Sequence, residues 1–183
     1  MRPSDPVAIV EADPDDANAV QALYAPHVLT GTATFELVPP SRDDMARRIA
    51  AVREAGLPWL LARDGGDGRL LGYAYAGPFR ARPAYRHTVE DSVYVDPAAA
   101  GRGVGTTLLR AVIDRCAAAD VRQMVAVITT PGSEASEALH RRLGFETIGV
   151  LPGVGRKFGR WLGTLYMQRA LGDGQATAPR AEG

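Results

Sequence analysis

The residues best suited to chemistry lie between Ser92 and Leu109, in the run Ser-Val-Tyr-Val-Asp-Pro-Ala-Ala-Ala-Gly-Arg-Gly-Val-Gly-Thr-Thr-Leu-Leu. An apolar, β-branched strand meets a proline, then a glycine-rich turn, then a helix. Gly101, Gly103 and Gly105 let the backbone come close to a ligand. The first N–H groups of the helix have no intrahelical acceptor and point at whatever lies there. That order builds an anion site whose natural occupant is a phosphate-bearing cofactor, which points to an enzyme that uses one. Upstream, Arg80 and Arg82 stand two residues apart in a loop with Tyr85. They can present forked donors to one anion, such as a carboxylate or phosphinate; a solvated basic loop is the alternative.

Two familiar phosphate sites do not match. A P-loop needs Gly-Lys-Ser/Thr at the helix start, and Gly103-Val-Gly-Thr106 has no lysine. A dinucleotide fingerprint counted from Gly101 places Thr106 where its third glycine belongs, and the turn lies mid-chain after antiparallel signals. His27, His87 and His140 are too scattered to suggest a metal site, so no metal is expected. Cys116 lies on an apolar helix stripe and reads as packing, not as a nucleophile.

The elements that must position these residues follow from periodicity. Val7–Val10 reads as a strand, and Asp13-Pro-Asp-Asp16 opens a helix to about Val28 with Val20, Leu23, Tyr24 and His27 at helical spacing. A loop over 29–40 carries Thr34-Phe-Glu36. Ser41-Arg-Asp-Asp44 starts a second helix, with Met45, Ile49 and Val52 on one face, that ends at Gly56. Strands over 58–62 and 69–76 flank Asp64-Gly-Gly-Asp-Gly68, a strong hairpin turn. His87–Val95 is a strand, and 103–119 a helix with Leu108, Leu109, Val112, Ile113 and Cys116 as its apolar stripe. Met124–Ile128 is apolar throughout, as a strand buried on both faces requires. A helix over 133–143 closes at Gly144, and strands over 145–150 and 162–171 finish a mixed α/β domain spanning residues 1–172. The tail, residues 173–183, lacks apolar residues and is expected to stay unordered.

Composition narrows the class of partner. The 183 residues suffice for one core, and 46% hydrophobic with 23% charged content is ordinary for a water-soluble domain. Lys plus Arg equal Asp plus Glu at 21 each, so no bulk field favours nucleic acid or an acidic membrane. No apolar run approaches membrane-spanning length, and the amino end has no signal-peptide pattern. One cysteine cannot form an internal disulfide, so a cytoplasmic location is expected.

Strand, Val-x-Pro, a short stretch and then Gly-x-Gly-x-Gly before a helix resembles the coenzyme A pyrophosphate site of the GNAT superfamily of N-acetyltransferases. Ala138-Leu-His-Arg-Arg-Leu-Gly-Phe145 is similar to that superfamily's helix-to-strand ending, an independent match. Within it, the block over 72–95, with Thr34-Phe-Glu36 and Gly155-Arg-Lys-Phe-Gly-Arg-Trp161, resembles the phosphinothricin (methionine sulfoximine) acetyltransferase family. The likeness runs from residue 7 to 171. It implies a GNAT fold: a mixed, mostly antiparallel sheet flanked by helices, with a splayed cofactor-binding strand pair. It also implies acetyl-CoA as co-substrate, a small amino-acid acceptor, and a homodimer as one arrangement of the chain. Two departures bear on cofactor affinity. Ala100 stands where the superfamily carries Gln or Arg, leaving Arg102 as the candidate replacement. The stretch Thr129-Thr-Pro-Gly-Ser-Glu134 lacks the asparagine that would bind the pantetheine arm.

Site roles follow from the same resemblance. Glu90 matches the family's glutamate and is the candidate base for the amine, directly or through a water. Val93, Tyr94 and Val95 would act through their backbone on the pantetheine and the thioester oxygen. Gly101, Arg102, Gly103, Val104, Gly105 and Thr106 would hold the pyrophosphate. Ser136 would cap the late helix near the pantetheine, and His140 occupies the place of a tyrosine that protonates the departing thiolate. Arg80, Arg82 and Tyr85 would bind the acceptor; Phe35 and residues 157–161 would close its pocket. Other acceptors (a polyamine, an antibiotic, a protein amino terminus) and a non-catalytic acyl-CoA-binding domain are the competing readings.

Overall fold

Seven strands form one sheet in the computed structural model, which describes residues 7–180. They are β1 (Val7–Glu11), β2 (Trp59–Asp64), β3 (Leu70–Pro78), β4 (Thr88–Val95), β5 (Gln123–Thr130), β6 (Glu146–Lys157) and β7 (Arg160–Ala170). Their spatial order is β1-β2-β3-β4-β5-β7-β6, and every neighbouring pair is antiparallel except β4 with β5. This is the mixed, mostly antiparallel sheet that the sequence led us to expect. The helices are α1 (Ala17–Leu29), α2 (Arg42–Glu54), α3 (Val104–Ala118) and α4 (Glu134–Arg142).

Side-chain alternation divides the core in two. Trp59, Leu61 and Tyr73 cluster with Val20, Tyr24, Met45 and Ile49 of α1 and α2. Leu60, Ala62, Leu71 and Ala74 point the other way, into a cluster with Leu108, Leu109, Val112 and Cys116 of α3. Burial on both faces is why the β2 run is apolar without alternation. Asp13 caps a 3-10 turn, Pro14–Asp16, so α1 begins at Ala17 and not at the expected first acidic turn. Ser41 and Asp44 form the reciprocal capping box that starts α2.

Two further segments differ from expectation. β6 runs to Lys157, seven residues past the expected end, because irregularities between Thr147 and Gly149 and between Leu151 and Gly155 absorb Ile148 and the Pro152-Gly153-Val154 stretch. It joins β7 through Phe158 and Gly159, at φ +49° and +76°, the left-handed pair of a two-residue hairpin. A phenylalanine is a rare choice there, so the turn carries no recognisable signature. The tail also takes a definite path as far as Arg180. The buried Arg122 guanidinium donates to Thr177 Oγ1 and the Ala178 carbonyl, both at 3.0 Å, and the Arg180 N–H donates to Asp120 Oδ2 at 2.7 Å. Composition registers apolar content, whereas this segment is tethered by polar contacts.

Candidate active site

The parallel ladder between β4 and β5 is short. It pairs Thr88 with Gln123 through Asp91 with Ala126, and then stops, although both strands continue. Past that point Ser92–Val95 pair only with β3, and Val127–Thr130 only with β7. The strands therefore splay, leaving two facing backbone edges that an extended, amide-bearing ligand can bridge. Asp91–Tyr94, Ala126–Thr129, Ala33, Ser133, Ser136 and His140 line the cleft.

The glycine turn closes one end of β4. Asp96 caps a 3-10 turn over Pro97–Ala99, and Gly101 and Gly103 follow at φ +76° and +78°. Gly103 is the N-cap of α3 and offers no side-chain acceptor. The first intrahelical acceptor is used by Thr107, whose N–H bonds the Gly103 carbonyl at 3.0 Å. The N–H groups of Val104, Gly105 and Thr106 thus remain for a ligand, and the cradle fits a pyrophosphate. A Cβ added at Gly105 would meet Leu139 and Val95 at ordinary van der Waals distances, so packing alone does not require glycine there. The Arg102 guanidinium turns to Asp64 Oδ2, 3.1 Å away at the end of β2 where the β2–β3 turn begins. It is therefore an ion-pair partner of that turn and not a ready substitute for the side chain missing at Ala100.

Period-two alternation puts Glu90 and its neighbour Asp91 on opposite faces of β4. Glu90 shares its face with Ser92 and Tyr94, the latter packed against the α1–α2 cluster. It is half-buried; burial first, then the Asp91 charge, push its pKa up, and Arg80 partly opposes them. Asp91 shares the other face with Val93 and Val95, which pack on the α3 side. There Asp91 Oδ2 meets His140 Nε2 at 3.0 Å, and His140 Nδ1 lies 2.7 Å from the Ser136 carbonyl. Burial works against a charged His140, but the Asp91 carboxylate and the Ser136 carbonyl outweigh it and raise its pKa. Both ring nitrogens are engaged, so the geometry leaves no N–H aimed at a sulfur.

The acceptor side is built from loops. Arg80 lies over the Phe79 ring at 5.0 Å, Phe79 meets Tyr85 edge-on, and Arg80, Arg82 and Tyr85 line one hollow. The loop carrying Thr34, Phe35 and Glu36 is clamped from several elements. Tyr24 Oη is 2.8 Å from Thr34 Oγ1 and 3.1 Å from Glu36 Oε1, Arg48 pairs with Glu36, and the buried Lys157 Nζ donates to the Thr34 carbonyl at 2.8 Å. Phe35 lies against Gly155, where any Cβ would overlap its ring. Trp161 and Phe158 point outward and are exposed, so of residues 157–161 only Lys157 is buried against this loop.

Ser136 lines the cleft, but the N-cap of α4 is Ser133; the expected cap was placed one turn late. The residue overlooked in the sequence is Asp91. Its signal was legible: an aspartate in the alternating row Val89, Asp91, Val93, whose neighbours face the core.

A model of the "Acetyltransferase (GNAT) family" matches residues 23–145. The chain is similar to a phosphinothricin N-acetyltransferase of Alcaligenes faecalis, 53% identical over 165 residues that cover 90% of this chain and 83% of that one. An L-methionine sulfoximine/L-methionine sulfone acetyltransferase of Pseudomonas paraeruginosa is 42% identical, covering 94% and 98%. Among solved structures, a GNAT superfamily phosphinothricin acetyltransferase from Sinorhizobium meliloti in complex with AcCoA superposes with a TM-score of 0.91 at 46% identity, covering 97% of this chain and 94% of that one.

Proposed function

The chain belongs to the GNAT family of acetyltransferases, and from that premise we propose that this acetyl-CoA-dependent N-acetyltransferase acts on the α-amine of a small amino acid of the phosphinothricin, methionine sulfoximine or methionine sulfone type. Acetyl-CoA, when bound, supplies the acetyl thioester. The N–H groups of Val104, Gly105 and Thr106, with the turn at Gly101–Gly103, hold its pyrophosphate, and the free edges of β4 and β5 hold its pantetheine arm. Backbone N–H groups over Val93–Val95 steady charge developing on the acyl oxygen. Glu90 takes the proton of the attacking amine, directly or through a water. Arg80 and Arg82 hold the acceptor's anionic groups with Tyr85 beside them, and Phe35 is the apolar wall.

The observation that carries this reading is the position of Glu90: a half-buried carboxylate, made more basic by its surroundings, where the β4–β5 ladder ends. The test is thiol release from acetyl-CoA with phosphinothricin, methionine sulfoximine, methionine sulfone, spermidine and a peptide with a free amino terminus. A charge-assisted hydrogen bond is worth about 1.5–3 kcal/mol, so the three amino acids should exceed the others by roughly tenfold or more in kcat/KM. Release with spermidine or the peptide alone would replace the acceptor. Binding of acetyl-CoA with no release under any acceptor would make the chain an acyl-CoA-binding domain.

The homodimer belongs to the same proposal. β6 is an edge strand of 12 residues, and Ile148, Val150, Val154 and Trp161 of the β6–β7 hairpin are 62%, 52%, 52% and 67% exposed. So much apolar surface beside an edge is covered in stable proteins, and a second copy is the partner every solution of this chain contains. Sedimentation at micromolar concentration should give a dimer that Val150→Glu with Trp161→Glu converts to a monomer. A monomeric unmodified chain would refute it.

A further inference from the structure

On the α3 side of β4, Asp91 and His140 form a buried pair that neither the anion cradle nor the proton-accepting role of Glu90 uses. Asp91 is 6% exposed and His140 4%. The proton count follows from their partners. Ser136 offers a carbonyl, which can only accept, so His140 Nδ1 must carry a hydrogen. Nε2 faces Asp91 Oδ2 at 3.0 Å, and exactly one proton must lie between them. Asp91 Oδ1 is buried with no hydrogen-bond partner among the described residues. A carboxylate so placed has no compensation other than the ring, and burying it uncompensated is costly.

We infer that Asp91 is a positioning residue that keeps the proton on Nε2, so that His140 enters the cleft as an imidazolium, its ring pinned from both nitrogens. The edge-on contact with Phe145, at 5.0 Å between centroids and 85° between planes, removes the remaining freedom of the ring. Outside the pair itself, the titratable groups nearest to it are Cys116 on α3, which feels the Asp91 charge, and Glu90 on β4, which Asp91 also acts on. Cys116 is a neutral thiol whose pKa is pushed up to about 12 by burial and then by the Asp91 charge, so it supplies no competing charge near neutrality. Glu90 is on the opposite face. A ring already carrying both protons cannot accept the amine's proton, which leaves that work to Glu90. Its positive charge favours a thiolate forming in the cleft that it lines. This last role rests on the acetyl-transfer reading; the protonation state does not.

The test needs only the protein. Long-range nitrogen–proton NMR of the three histidines reports tautomer and charge across pH, with His27 and His87, which touch neither group, as internal references. His140 should show two protonated nitrogens at pH 7 and a midpoint above that of His27, which burial lowers. In Asp91→Asn the side-chain amide can donate to Nε2, and the His140 midpoint should fall by about one to three pH units, leaving the neutral Nδ1–H form at pH 7. A neutral His140 at pH 7 in the unmodified chain would overturn the inference without any variant. A midpoint that Asp91→Asn leaves in place would overturn it equally. Thiol release in the acceptor panel is scored separately, so a failed acceptor reading and a failed proton assignment are told apart.

Discussion

Glu90→Gln should lower kcat/KM for the amino-acid acceptor by about 10²- to 10⁴-fold near neutral pH, the usual worth of a positioned general base. The substitution keeps the shape and removes only the ability to take a proton. The loss should depend on pH in a definite way. An α-amine titrates near pH 8, so the base is needed most where the acceptor is an ammonium, and the deficit should shrink as pH rises past that value. In the unmodified enzyme the acidic limb should lie above the ordinary carboxylate range, because burial and Asp91 raise the Glu90 pKa and falling pH silences the base by protonating it. Stability should move the other way. A carboxyl whose pKa is raised on folding binds more protons folded than unfolded, so its contribution falls as pH climbs from the unfolded value through the folded one. Glutamine removes that penalty, and the midpoint of thermal unfolding at pH 7 should hold or rise. A pH–rate profile identical in the two proteins would take the role from Glu90, and a fall in the unfolding midpoint would mark the loss as structural.

Gly103→Val should act on the donor in place of the acceptor. Gly103 holds φ +78° as the N-cap of α3, with no side chain in the way of the anion cradle. A β-branched residue in that conformation costs on the order of 1–3 kcal/mol, and the chain can relieve it only by turning the first amides of the helix off their common aim. Each charge-assisted hydrogen bond lost from those amides is worth about 1.5–3 kcal/mol. KM for acetyl-CoA should therefore rise roughly tenfold to a hundredfold, while KM for the acceptor stays put, since the acceptor hollow lies at Arg80–Tyr85. Steady-state kinetics with each substrate varied in turn separates the two. An unchanged acetyl-CoA KM would mean that the pyrophosphate is held elsewhere.

The parts of this site that could be read directly from the residues are those made by short stretches of chain. A strand running through a proline into glycines and a helix can hardly avoid exposing amides. Ser41 with Asp44 announces a helix start, and the apolar stripe of α3 is written in five residues that are all buried. Glu90 and the arginines of the 80–85 loop were reachable through resemblance, since nothing local distinguishes a working glutamate on a strand from a solvated one.

Long-range partners were beyond that kind of reading. Arg102 looked free to serve the anion until the β2–β3 turn put Asp64 beside it. Ser136 looked like a cap until the helix began after Ser133. His140 looked like an available acid until β4 brought Asp91, 49 positions away in the chain, to its Nε2. Residue order determined which segments would be strands, which helices, and where the backbone would offer its amides, because those outcomes depend on side-chain period and on the conformational freedom of glycine and proline. The tertiary structure alone decided where β4 and β5 part and which charges face each other across the gap. Those depend on how the strands register and how helices bury their apolar faces, a balance struck over the whole core.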